Sequence, residues 1–135
     1  MALQFLLDTN IFIYIRQRRD SNVLERFQSL QPGAVGLSVI SFGELHYGAQ
    51  KSSKPVSALK TLQEIAELID VLPLPISAGR EYAEIRRSLE AKGQVIGGND
   101  LWIAAHAKTA GLTLVTNDER EFRRVTGLKV ENWVR

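Results

Sequence analysis

Short apolar runs alternate along the chain with amphipathic stretches, and their periods are those of buried strands and surface helices. Residues 3–7 form a continuous apolar run, which is typical of a strand buried on both faces of a sheet. Similar apolar runs predict strands over 34–40, 70–75, 112–115 and 128–130, and prolines limit the third strand of the chain.

Apolar residues recur at helical spacing between these strands. They predict helices over 10–18, 21–30, 41–50, 56–69, 77–93, 101–110 and 119–125, with the second helix ending before Pro32 and Gly33. The helix over 101–110 is apolar on nearly every side, so we expect it to be buried centrally. Strands that alternate with helices predict an α/β domain over 1–135, with a mainly parallel sheet covered on both faces.

Composition narrows the class of protein. A chain of 135 residues suits a single domain, and the absence of cysteine excludes disulfides and thiolate metal sites. No apolar run approaches the roughly 18 residues that a membrane span needs. The N-terminal residues also lack a basic leader, so we expect a cytoplasmic protein.

Four acidic residues lie where a predicted strand passes into a helix: Asp8, Glu44, Asp100 and Asp118. In a parallel sheet these junctions share one edge, at the carboxyl ends of the strands. Carboxylates gathered there repel one another unless a cation lies between them. Hard oxygen ligands suit Mg²⁺ or Mn²⁺, and such a metal site suggests phosphodiester chemistry.

Helix capping is the structural alternative for each of these acids, because Asp, Ser, Thr and Asn are preferred N-caps. The segments 41–44 and 118–121 are formal capping boxes. Neutral capping residues nevertheless stand beside three of the acids: Thr9, Asn10, Asn99, Thr116 and Asn117. The added carboxylates are therefore surplus to capping, and together they favour the metal site.

A fifth acid, Glu121, lies one helical turn after Asp118, so both can face the same site. The alternatives for Glu121 are the capping box or an ion pair with Arg120 or Arg124. Basic residues form two clusters, one near the end of the first helix (Arg16, Arg18 and Arg19) and one near the last acid (Arg120, Arg123 and Arg124). Such clusters bind phosphates or simply solubilise the surface, since the net charge is only +2.

The two histidines are predicted to stand outside the chemistry. His106 lies inside the apolar helix six residues after Asp100, so we interpret it as a hydrogen-bonded core residue. His46 follows Glu44 by two residues and points to another face of the helix, so we interpret it as a structural residue or as one that supports a metal ligand indirectly. A two-metal mechanism needs no histidine base.

Several motifs occur in an order that resembles the PIN-domain ribonucleases. They are 7–10 (LDTN), 41–45 (SFGEL), 96–107 (IGGNDLWIAAHA) and 114–122 (LVTNDEREF). The closing segment 125–133 (VTGLKVENW) is similar to that of the VapC toxins within this family. The resemblance runs from Leu6 to Trp133.

The resemblance implies a three-layer α/β/α PIN-like domain with a mainly parallel sheet of four to five strands. It implies a Mg²⁺-dependent endoribonuclease, with Mn²⁺ as a possible substitute, whose acids are Asp8, Glu44 and Asp100. The fourth acid of the family matches either Asp118 or Glu121, and the sequence leaves that choice open. Four polar positions are expected to support the metal site or orient its water: Thr9, Asn10, Thr116 and Asn117.

The resemblance also implies partners. It predicts a cognate VapB-type antitoxin, a homodimer that enters a larger toxin–antitoxin complex, and operator DNA bound only through the antitoxin. RNA, commonly tRNA, is the implied substrate, and the expected products carry a 5′-phosphate and a 3′-hydroxyl. We expect four arginines to contact the RNA backbone: Arg16, Arg18, Arg19 and Arg120. A binding module without catalysis is the rival hypothesis, and the intact set of acids argues against it.

Overall fold

A computed structural model describes residues 2–31 and 33–134, with every strand of the sheet parallel. The strands are β1 (Phe5–Leu7), β2 (Val35–Ser38), β3 (Asp70–Leu72), β4 (Thr113–Val115) and β5 (Lys129–Glu131). The helices are α1 (Thr9–Gln17), α2 (Ser21–Ser29), α3 (Val39–Gln50), α4 (Pro55–Ala66), α5 (Ala78–Ala91), α6 (Gly98–Ala110) and α7 (Glu119–Phe122). All predicted strands and helices are present, with bounds that differ from the predicted ones by up to three residues. Pro32 lies outside the described residues.

The sheet order is β3-β2-β1-β4-β5, so β1 is the central strand. The chain builds outward from β1 on one side through β2 and β3, and then returns to place β4 on the other side. Ligands of open parallel sheets bind at such a reversal, beyond the carboxyl ends of the strands. Here that position lies beyond β1 and β4, which pair Leu7 with Val115.

Side chains of β1 alternate between two cores. Phe5 and Leu7 pack in a cluster with residues of α1 to α4, whereas Leu6 packs with residues of α5, α6 and α7. The sheet therefore carries helices on both faces, which confirms the predicted α/β/α layers. The predicted central burial of α6 is also confirmed, since Leu101, Ile103 and the segment 104–107 are buried.

The predicted start of the third helix is wrong. α3 begins at Val39 rather than Ser41, and Ser38 is its N-cap, whose Oγ accepts a hydrogen bond from the Ile40 amide at 3.2 Å. Strand β2 makes its last pair at Ser38, with Leu72, and passes directly into the helix. Ser41 is therefore a buried residue of the first helical turn, not the start of a capping box.

No helix in the part of the chain that the structure describes is long and apolar enough to cross a membrane.

Candidate active site

Asp8 is the most enclosed carboxylate of the site, with 5% of its surface exposed. It follows β1 and is the N-cap of α1, where Oδ1 accepts from the Thr9 amide at 2.7 Å. Oδ2 accepts from the Thr116 hydroxyl at 2.9 Å. Burial raises the pKa of Asp8 above its ordinary value, and the nearby negative charges of Glu44 and Asp118 raise it further, against these hydrogen bonds.

Thr116 joins two of the acids at the end of β4. It is fully buried, and its hydroxyl, which donates to Asp8, accepts from the Asp118 amide at 3.0 Å. Asp118 in turn caps α7, where Oδ1 accepts from the Glu121 amide at 3.4 Å. Only the first half of the predicted capping box therefore forms, because the Asp118 amide bonds to Thr116 instead of Glu121.

Glu44 reaches the site from α3 and is held by two neutral donors. Its Oε1 accepts from the Thr9 hydroxyl at 2.8 Å, and its Oε2 accepts from the Asn99 amide group at 3.1 Å. The predicted supporting role of Thr9 fits this contact. The sequence predicts only a neutral cap at Asn99, although its place beside Asp100 is a signal that points to a role at the site.

Asp100 and Glu121 form the outer part of the acidic site. Asp100 lies in the first turn of α6, and its carboxyl is within hydrogen-bonding reach of the Glu121 carboxyl. Burial raises the pKa of Asp100 to about 7, and the contact with Glu121 and the charges of Asp8 and Glu44 add to this rise. Glu121 Oε1 also accepts from the Gly97 amide at 3.3 Å.

The structure thus brings all five predicted acids to one edge of the sheet, with Asp118 on the side of Asp8 and Glu121 beside Asp100. Their oxygens are hard donors of the type that Mg²⁺ and Mn²⁺ take. The raised pKa values of Asp8 and Asp100 reflect burial first and neighbouring carboxylates second. In the described parts, however, no three Asp, Glu, His or Cys side chains form a ready-made metal site. Hydrogen bonds to Thr9, Asn99 and Gly97 help to explain this. The donor set fits a divalent cation in charge and chemistry, once side chains turn toward it.

The other predicted supporting residues lie at the rim. The Asn117 amide group donates to the Tyr14 hydroxyl at 3.3 Å, across 103 positions of the chain, so the local sequence pattern carries no signal of this contact. Asn10 is exposed on α1, and within residues 2–31 and 33–134 its side chain makes no hydrogen bond.

The predicted RNA-contacting arginines occupy different surroundings. Arg16 lines a groove together with Thr9 and Glu44, so it lies near one of the five acids. The Arg19 guanidinium stands over the Tyr14 ring, 4.7 Å from its centroid. Arg18, in the left-handed conformation (φ 53°) that ends α1, and Arg120 are exposed.

His106 is a hydrogen-bonded core residue, as predicted, and His46 packs beside an aromatic ring. His106 is 2% exposed, and its Nδ1 lies 2.9 Å from the Ser38 hydroxyl. Burial lowers the pKa of His106, which therefore favours the neutral ring that the core can hold. His46 packs beside Phe42, with ring centroids 5.8 Å apart.

Comparison with known proteins identifies the family of this chain. A family model described as "PIN domain" matches residues 5–128. Ribonuclease VapC2 of Haemophilus influenzae is 39% identical over 132 residues, which cover 98% of this chain and 99% of that protein. The tRNA(fMet)-specific endonuclease VapC of Shigella flexneri is 40% identical over 131 residues, covering 97% and 98%.

Solved structures of two VapBC complexes are also similar to this chain in fold and sequence. The structure of VapBC2 from Rickettsia felis bound to a DNA fragment from its promoter superposes with a TM-score of 0.90 at 34% identity, covering 98% of this chain and 99% of that one. DNA-bound VapBC from Salmonella typhimurium gives a TM-score of 0.91 at 37% identity, covering 97% and 98%.

Proposed function

This chain belongs to the PIN-domain family, among the VapC ribonucleases, and on that premise we propose that it is a Mg²⁺-dependent toxin endoribonuclease that cleaves tRNA. The observation that carries the proposal is the convergence of Asp8, Glu44 and Asp100, with Asp118 and Glu121, beyond the ends of β1 and β4. The negative charge of carboxylates gathered at this position is best compensated by a divalent cation.

Asp8, Glu44 and Asp100 would hold Mg²⁺, or Mn²⁺ in its place, together with Asp118 or Glu121. A divalent cation in such a site lowers the pKa of a bound water and stabilises charge that develops at phosphorus. Thr116 keeps Asp8 oriented, and Thr9 and Asn99 do the same for Glu44. Cleavage by water is expected to leave a 5′-phosphate and a 3′-hydroxyl.

The proposed substrate and partners follow from the relatives. One of them is named a tRNA(fMet)-specific endonuclease, which makes tRNA the first RNA to test. Related structures are VapBC complexes, some with DNA, so we propose a VapB-type antitoxin that neutralises the toxin and carries it to operator DNA. A homodimer within that complex and action in the cytoplasm belong to the same proposal.

The experiment compares cleavage of purified tRNA by the wild-type protein, Asp8→Asn and Asp70→Asn. Asp70 is an exposed acid at the amino end of β3, whereas the acids of the site lie beyond the carboxyl ends of β1 and β4. It is therefore the matched control. We expect cleavage with Mg²⁺ and none in EDTA. Asp8→Asn should lose about 10³-fold or more of the rate, a magnitude typical of losing a group that acts mainly in the transition state, while Asp70→Asn keeps it. Undiminished cleavage by Asp8→Asn, or by the wild type in EDTA, would overturn the proposal.

A further inference from the structure

A basic cleft lies on the α5–α6 face of the protein and is separate from the acidic site. We use this name for the cavity of about 200 Å³ whose charged lining is Arg87, Lys108, Arg124 and Glu84. The hydroxyl-bearing residues Ser88 and Thr126 also line it. A water occupies about 30 Å³ of liquid volume, so the cleft has room for a phosphate group and several waters. The lining carries three cations against one carboxylate, and with Glu81, which pairs with Lys108, the local charge is still positive, which favours an anion.

Each cation of the basic cleft has donors to spare. The Arg87 guanidinium pairs with Glu84 at 3.2 Å, but these side chains are 74% and 62% exposed, so the pair contributes little. Lys108 pairs at 2.8 Å with Glu81, which is outside the lining. Arg124 has no carboxylate partner in the described parts of the chain. It donates to the Val95 carbonyl at 3.1 Å, which leaves its other guanidinium N–H groups for a ligand.

The basic cleft adjoins the acidic site through the segment 95–97. Arg124 binds this segment at the Val95 carbonyl, and Glu121, one turn earlier, binds it at the Gly97 amide at 3.3 Å. Two residues of chain span at most about 7 Å, so the guanidinium and the carboxylate lie within about 13 Å of each other. A strand whose phosphate reaches the acids can therefore place a nearby phosphate in the cleft.

The charge balance of the chain favours a phosphate contact away from the acids. With the five acids of the site set aside, seventeen basic residues face ten acidic ones. The acids repel the RNA backbone, so affinity must come from cations placed around them. Arg16 and Arg19 lie toward α1, whereas the cleft supplies cations on the opposite face of the sheet.

We propose that the basic cleft of Arg87, Lys108 and Arg124 binds a backbone phosphate of the RNA substrate, a few nucleotides from the phosphate that reaches the acids. The inference rests on the proposed function for the identity of the polyanion. It adds a second contact point, which orients the strand across the segment 95–97.

The test measures binding of a fluorescent RNA hairpin by anisotropy in EDTA, where the proposed cleavage is absent, over a series of salt concentrations. Arg87→Gln, Lys108→Gln and Arg124→Gln should each weaken binding and reduce the slope of log K against log salt by about 0.7, the value for one single-strand phosphate contact. Glu84→Gln should have the opposite effect, tighter binding, because it removes the lining carboxylate and frees Arg87. Lys60→Gln is the control, an exposed lysine of α4 on the other face of the sheet.

Of the three cations, only Arg124 binds the segment 95–97. The Arg87 and Lys108 variants therefore test the cleft without disturbing that segment. If Arg124→Gln alone weakens binding, Arg124 acts by holding that segment and the proposal is overturned. Slopes equal to that of Lys60→Gln for all three variants would also overturn it. Metal-dependent cleavage by the wild type, measured separately, decides the proposed function. An intact nuclease with unchanged slopes would refute the cleft alone.

Discussion

Replacing Asp100 by Asn should stabilise the metal-free protein and make it less sensitive to pH. Burial and neighbouring carboxylates raise the pKa of Asp100 from 3.8 to about 7. A raised acid pKa means that the folded state holds a proton that the unfolded state releases, so ionisation of Asp100 destabilises the fold. Asn removes that charge and retains a group that can donate to Glu121.

The magnitude follows from the size of the shift. At about 1.4 kcal/mol per pKa unit, the full shift of Asp100 would correspond to about 4 kcal/mol above pH 7. Asp100 is partly exposed, so solvent screening reduces this to about 1–2 kcal/mol. The destabilisation of the fold by ionised Asp100 is complete above the folded pKa of about 7 and declines as the pH falls through that value. It vanishes below the unfolded pKa of 3.8.

The assay is urea unfolding of wild type and Asp100→Asn in EDTA, from about pH 8 to about pH 5. We expect the variant to be more stable by about 1–2 kcal/mol at the alkaline end, with the difference falling by at least half at the acidic end. Taking the difference between the two proteins cancels His106, whose lowered pKa destabilises the fold as the pH falls. A variant that is less stable than wild type at the alkaline end, or a difference that does not change with pH, would refute the reasoning.

Three further substitutions test single contacts. Thr116→Val should lower the free energy of unfolding by about 1–3 kcal/mol and remove most of the nuclease activity, because it removes the donor to Asp8, whereas Thr116→Ser should retain stability and activity. Urea unfolding and tRNA cleavage measure the two effects, and a Val variant as active as wild type would contradict the prediction. Trp133→Ala should lower the free energy of unfolding by about 3–5 kcal/mol, measured by thermal unfolding, because Trp133 is 2% exposed and packs edge-on to Phe5 with ring centroids 5.4 Å apart. A loss below about 1 kcal/mol would contradict this range. Gly36→Ala should cost about 1–3 kcal/mol, since its Cβ would lie 2.6 Å from Leu72 Cδ1; a variant as stable as wild type would show that Leu72 moves freely.

The local pattern predicted every strand and helix, because apolar periodicity reports which face of an element is buried. It misplaced the start of α3 because the length of β2 depends on pairing with β3, which ends at Ser38 and Leu72. Both Ser38 and Ser41 are acceptable caps by sequence. Only the sheet register decides that Ser38 caps the helix and that Ser41 is buried.

By itself, the sequence determined the alternation of strands and helices, the burial of α6, and the placing of acids at strand ends. The tertiary structure decided which acids are neighbours. Thr116 and Asp8 are 108 positions apart and meet because β4 pairs with β1, and Asn99 meets Glu44 across 55 positions. Such contacts depend on strand order, which local periodicity does not contain. The same order sets Asp118 toward Asp8 and Glu121 beside Asp100, a distinction that helical spacing alone left open.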